Sequence, residues 1–260
     1  MKIEVPHPSS LLPLVLSTTA GAVDVIGFLA LGGLFTAHIT GNLVVLAVHY
    51  TAGGFCEVGP LLSVPVFVAV LGVVILASEA VERHTGVIGP HIHLWWRRAL
   101  LILHAALLAG CLGLGVSFGP FADADRPMAV LVGMLGVSAM ATQNALVKLA
   151  LSGTPSTAVM TTNATQLTID LTTLAKGQRE HEDFARARRR ASLTFTCIAG
   201  FLAGCVLGAI LEVRIGLWAL ALPGTLAALA APLGWGEKVI VFSESANLSA
   251  STKPEYRSLV

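Results

Sequence analysis

Apolar residues run almost unbroken through six stretches of the chain: 11–34, 61–81, 98–118, 127–150, 191–212 and 215–234. Each comes close to the roughly 20 mostly apolar residues that an α-helix needs to cross a bilayer. Two further segments, 36–53 and 157–175, are long enough for helices, but polar groups crowd their first halves. The pattern predicts an all-α, polytopic transmembrane helical bundle. Its spans number six, with two polar re-entrant segments, or alternatively eight.

Charge separates the two counts, because cytoplasmic loops are enriched in Lys and Arg. With Lys2 placed inside, six spans leave only Arg126 and Arg214 outside. Eight spans put Arg83, Arg97, Arg98, Lys148 and Arg214 outside. The six-span count fits better. Against it, a helix over 40–51 would be about 18 Å long, more than half of a hydrocarbon core of about 30 Å, so a tilted full span stays open.

The two halves of the chain share an order of elements. An offset of 121 residues aligns Ala37-His38-Ile39-Thr40-Gly41-Asn42 with Ala158-Val159-Met160-Thr161-Thr162-Asn163 and pairs His49 with Asp170. One residue out of register, Asp24 meets Asn144. The domain plan is then an N-terminal cytoplasmic segment (1–10), membrane repeat 1 (11–118), membrane repeat 2 (119–235) and a disordered cytoplasmic tail (236–260). Three spans per half make the repeats inverted, a common transporter architecture with its site near the midplane. Four per half make them parallel.

Composition agrees with a membrane setting: 55% of the 260 residues are hydrophobic and only 12% charged, against about 25% charged in soluble domains. A net charge of +1 supplies no field to recruit nucleic acid. The four cysteines, Cys56, Cys111, Cys197 and Cys205, lack metal-ligand spacing and read as small buried hydrophobes. The first apolar run lacks a basic lead-in and cleavage site, so it is taken as a membrane helix rather than a signal peptide. The expected setting is the cell membrane, with both termini cytoplasmic and the lipid bilayer as partner; a homo-oligomer is compatible with it.

Polar groups at membrane depth are costly and point inward by default. Asp24 is the clearest, a candidate to carry a proton or bind a cation; the plainer role is an interhelical hydrogen bond. His38, Thr40, Gly41 and Asn42 gather a ring nitrogen, a hydroxyl and an amide at a helix start, whose free N–H groups favour an anionic or strongly polar ligand. Gln143, Asn144, Thr161, Thr162, Asn163 and Gln166 form the matching set in the second half; such residues also bind helices to one another. His49 and Asp170 are a candidate pair across the repeat axis. Glu79 and Glu82 read as interfacial beside Arg83, and His104 as a buried donor. His84, His91 and His93 share a loop but spacing pins no third metal ligand. No nucleotide-binding loop, zinc-protease helix or nucleophile elbow is present, so neither an enzyme nor a cofactor is expected.

Two motif blocks carry a resemblance. Gly21-Ala22-Val23-Asp24, Phe28-Leu29-Ala30-Leu31-Gly32 and Phe35-Thr36-Ala37-His38-Ile39-Thr40-Gly41-Asn42 form the first. Gln143-Asn144-Ala145-Leu146-Val147 and Thr157-Ala158-Val159-Met160-Thr161 form the second. Over about 11–235 the chain resembles the YoaK-like family of multi-pass membrane proteins, which implies membrane location and multi-pass topology but no substrate. It departs from that family at His38, where Asn is more usual, and at Thr162, where Gly is. Two functions follow as expectations. One is a transporter or channel for a small polar or anionic solute at a central site between the repeats. The other is a non-transporting scaffold or sensor acting through the basic loop 176–190.

Overall fold

The computed structural model describes residues 11–51, 58–85, 90–151, 153–176 and 182–236. The terminal segment 1–10, the tail beyond 236, Cys56, and the His91 and His93 side chains lie outside that description. The described residues form helices and no strand. They are α1 (Leu11–Ala30), α2 (Ile39–Thr51), α3 (Val58–Thr85), α4 (Pro90–Phe118), α5 (Pro127–Ala150), α6 (Met160–Ala175), α7 (Glu182–Ile215) and α8 (Ala221–Gly236), with a 3-10 turn at Gly216–Leu220. Five continuous stretches are long and apolar enough to cross a membrane, the last of them running from α7 through the turn into α8.

Three apolar clusters stacked along α1 give the direction of every long helix. At the start of α1, Leu12 and Leu16 cluster with Val74, Leu100, Leu101, Ala145, Leu146 and Ala230. At its middle, Ala20 and Val23 cluster with Leu108, Ala139, Met140, Phe201 and Ala227. At its end, Ile26 clusters with Cys111, Ala129, Val132 and Leu220, with Phe67 and Leu211 packed against them. Residue numbers rise along this axis in α1, α4 and α7 and fall in α3, α5 and α8. α1 and α5 are therefore antiparallel.

α1 and α7 make the tightest pairing, because small residues let the backbones meet. A Cβ on Gly204 would collide with the Thr18 carbonyl, and one on Gly21 with the Phe201 carbonyl. The other main long-helix packings are α4 on α5, α3 on α5, α4 on α8 and α1 on α8, with a smaller contact of α1 on α5.

The two short helices behave differently. α1 ends in a turn where Gly32 and Gly33 take φ of 63° and 77°, a conformation that L side chains resist. The chain then folds back along α1, burying Leu34 and Thr36 against Gly27, Gly133 and Gly136. α2 begins level with the middle of α1 and climbs back, so that Val45 and Val48 lie beside Gly32 and Gly33. α6 also begins in the middle cluster, where Ala158 and Met160 sit, and runs back toward the start of α7. With 13 and 16 residues, these helices are about 20 and 24 Å long.

Candidate functional site

Asp24 lies about two-thirds of the way along α1 and is only 3% exposed. A buried carboxylate needs donors to offset lost hydration. The folded-back segment supplies three: the Ala37 N–H at 2.7 Å, the Thr36 hydroxyl at 3.3 Å, and Nδ1 of His38 in a short contact. Asp24 thus fixes the tip of segment 31–38 to the middle of the bundle and orients the His38 ring. The His38 carbonyl accepts the Gly41 N–H at 2.9 Å; no other hydrogen bond to the His38 ring is found among the described residues, which leaves Nε2 on the open side of a ring whose side chain is 35% exposed.

That open side is a cleft of about 570 Å³ between α1, α2 and α7. Thr40, Gly41 and Val44 line it from α2, Val25 and Phe28 from α1, and Phe201 and Cys205 from α7. Phe35 closes it from the segment between α1 and α2, its ring 4.8 Å from that of Phe28. Phe201 meets the His38 ring edge-on at 5.4 Å. A side chain at Gly41 would sit 2.8 Å from the Phe35 ring, so the glycine lets α2 start against that ring.

Of the residues singled out from the sequence, Asp24, His38, Thr40 and Gly41 meet here. The others are elsewhere. Asn42 is fully buried: its Nδ2 donates to the Phe35 carbonyl and to the Ser63 hydroxyl, both at 2.7 Å, and its Oδ1 accepts the Phe35 N–H at 2.8 Å. It holds the segment in shape and has no donor free for a solute. Asn163 does similar work before α6, donating to the Ser156 carbonyl at 2.6 Å, while the Ser156 hydroxyl accepts the Val159 N–H at 2.9 Å. Gln143 donates to the Leu16 carbonyl at 3.0 Å and to the Thr157 hydroxyl at 2.9 Å. Its Oε1 is buried with no partner among the described residues. Asn144 donates to the Met140 carbonyl of its own helix at 2.9 Å. Thr161 and Thr162 are exposed on α6, and Gln166 donates to Asp170 at 3.1 Å.

His49 and Asp170 do not pair. Asp170 is buried and accepts Arg190 Nε at 2.9 and 3.0 Å, which ties α6 to α7. His49 instead lines a smaller cleft beside Gly32 and Gly33. Arg190 and Arg186 of the basic region are both engaged within the chain, Arg186 with Asp183 at 2.8 Å. Glu79 forms an exposed ion pair with Arg83 at 2.8 Å. His104 is buried with Nδ1 3.0 Å from the Ala139 carbonyl. No cluster of three metal-ligating side chains occurs among the described residues.

The aromatic wall is what the sequence did not disclose as a site. Phe28 stands one helical turn after Asp24, a spacing that puts them on one face, so that part was within reach. Phe201 arrives from the other half of the chain with no local signal.

Comparisons with known proteins agree with a membrane bundle. The model of a family described as DUF1275, protein of unknown function, matches residues 12–233. The UPF0700 transmembrane protein YoaK of Bacillus subtilis (strain 168) is 29% identical over 192 residues, which cover 72% of this chain and 79% of that protein. No solved structure matches.

Proposed function

The chain belongs to the DUF1275 family and is an integral membrane protein, and on that premise we propose that it is a transporter or channel for a small solute. In this reading it lies in the cell membrane as two inverted halves, with six crossings (α1, α3, α4, α5, α7, α8) and two re-entrant half-helices (α2, α6). Both termini are cytoplasmic. The observation that carries the reading is a buried carboxylate, Asp24, paired with the half-buried imidazole of His38 at the tip of a folded-back segment and facing a cleft. Broken helices that start at the midplane of inverted repeats are where transporters hold their solutes.

Several features support the inverted halves. Ile39 and Met160 open the two short helices at the 121-residue offset. Asn42 and Asn163 each donate to the carbonyl seven residues upstream. The packing of α1 on α7 has its counterpart in α5 on α3, that of α2 on α3 in α6 on α7, and that of α4 on α5 in α8 on α1. α1 and its counterpart α5 are antiparallel, as inversion requires.

The test is reconstitution in vesicles offered cationic, neutral and anionic small solutes. Wild-type protein is expected to move at least one class. Asp24→Asn, inserted to the same level, is expected to move it about tenfold more slowly, the factor that goes with losing one charge-assisted contact. If no class moves through wild-type protein, the reading fails.

A further inference from the structure

Resting on that reading, we propose that the Asp24–His38 cleft takes a small organic cation with an apolar or aromatic body, and releases it when His38 binds a proton. The argument starts from charge. Among the described residues Asp24 is the one carboxylate in the lining, and no Lys or Arg lines it. With His38 neutral and its Nδ1–H donated to Asp24, the cleft carries one net negative charge. The start of α2 works the other way, but a helix N-terminus amounts to only about half a positive charge. The carboxylate outweighs it, so an anion meets net repulsion.

The walls point to the same class of ligand. Phe28, Phe35 and Phe201 present rings around the carboxylate and imidazole. Aromatic faces carry negative charge density and attract ammonium groups, all the more when water is excluded. The few polar groups in the lining leave little to satisfy the many hydrogen bonds of a sugar or polyol. A volume of about 570 Å³ falls within the range of small-molecule sites, about 300–1,000 Å³.

Coupling follows from the free ring nitrogen. A proton added to Nε2 makes an imidazolium whose charge cancels that of Asp24. The site is then neutral, the positive end of α2 is no longer outweighed, and the cation leaves. One proton enters as one cation departs, so charge balances. Among the described residues the other titratable group lining the cleft is the Cys205 thiol on α7, which is neutral in both states. α2 contributes Thr40, Gly41 and Val44 to the lining. α5 meets the segment through Gly133 and Gly136, and α3 through Ser63 and Gly59. None of these titrates.

The experiment uses full-length protein in phosphatidylglycerol vesicles, which hold no lipid amine, with radiolabelled benzyltrimethylammonium outside. With the lumen at about pH 5.5 and the outside at about pH 8, values that bracket histidine titration, uptake is expected to exceed the no-gradient rate about tenfold. Asp24→Asn retains acceptors for Thr36 and Ala37 and is expected to lower uptake about tenfold. His38→Gln is expected to remove the response to the gradient, and Phe201→Leu to weaken uptake several-fold. Cation uptake absent while benzoate or glycerol moves through wild-type protein overturns this inference and leaves the transport reading standing. Movement of no solute overturns both. Adding phosphatidylethanolamine is expected to change nothing; loss of uptake on its addition makes a lipid amine the occupant and overturns the free solute.

Discussion

At the residue scale, buried asparagines and exposed ones look alike in a sequence, and here their roles diverge from that of Asp24. Asn42 satisfies both backbone groups of Phe35 and reaches Ser63 on α3. Asn42→Ala leaves the N–H and the carbonyl of Phe35 without a partner, each costing about 1–3 kcal/mol, while the Ser63 hydroxyl keeps its bond to the Pro60 carbonyl. The expected outcome is a melting temperature in detergent well below that of wild type, with the folded-back segment loosened. Asn163→Ala takes the side-chain donor from one backbone group, the Ser156 carbonyl, and is expected to lower the melting temperature less. Equal losses for the two variants would mean that neither asparagine acts through these bonds. The sequence marked both positions through the repeat, but only the fold separates Asn42 as a clamp from Thr40 and Gly41 beside it as cleft lining. Hydrogen-bond partners seven residues upstream leave no periodic trace.

At the element scale, glycine positions that look equivalent in a hydrophobic run differ sharply in the bundle. Gly204 on α7 faces the Thr18 carbonyl of α1 with no room for a Cβ, so Gly204→Ala must push the two backbones apart. Gly113 on α4 has open space for 4 Å around the place a Cβ would take. Gly113→Ala therefore gains helix propensity, up to about 1 kcal/mol, with no clash. Thermal unfolding of the two variants side by side is expected to show a large fall for Gly204→Ala and no fall for Gly113→Ala; a harmless Gly204→Ala would mean the α1–α7 contact is looser than described. The long apolar helices were plain from hydropathy, since lipid selects for uninterrupted runs. The short helices were legible as segments of doubtful depth, because their length lies between a half-span and a full one. Their direction was not legible. It depends on the Gly32–Gly33 reversal and on Asp24 capturing Ala37 and His38, contacts that no hydropathy window sees.

At the scale of the whole molecule, antiparallel α1 and α5 constrain how the chain meets the bilayer. If α2 and α6 each crossed fully, four crossings would separate equivalent points of the halves, and α1 and α5 would run the same way. Half-helices that return to their own side leave three crossings and give the opposed directions described by the three stacked clusters. The proposed six crossings put positions 86 and 180 in the same compartment, whereas eight crossings put them on opposite sides. Single cysteines at those two positions, in protein lacking Cys56, Cys111, Cys197 and Cys205, can be labelled in intact cells with a membrane-impermeant thiol reagent. Both are expected to be protected until the membrane is permeabilised. Labelling of the Gly86 reporter alone would restore eight spans and parallel halves. It would also remove the physical basis for a mid-depth tip at His38, because α2 would then carry its polar start at a membrane surface.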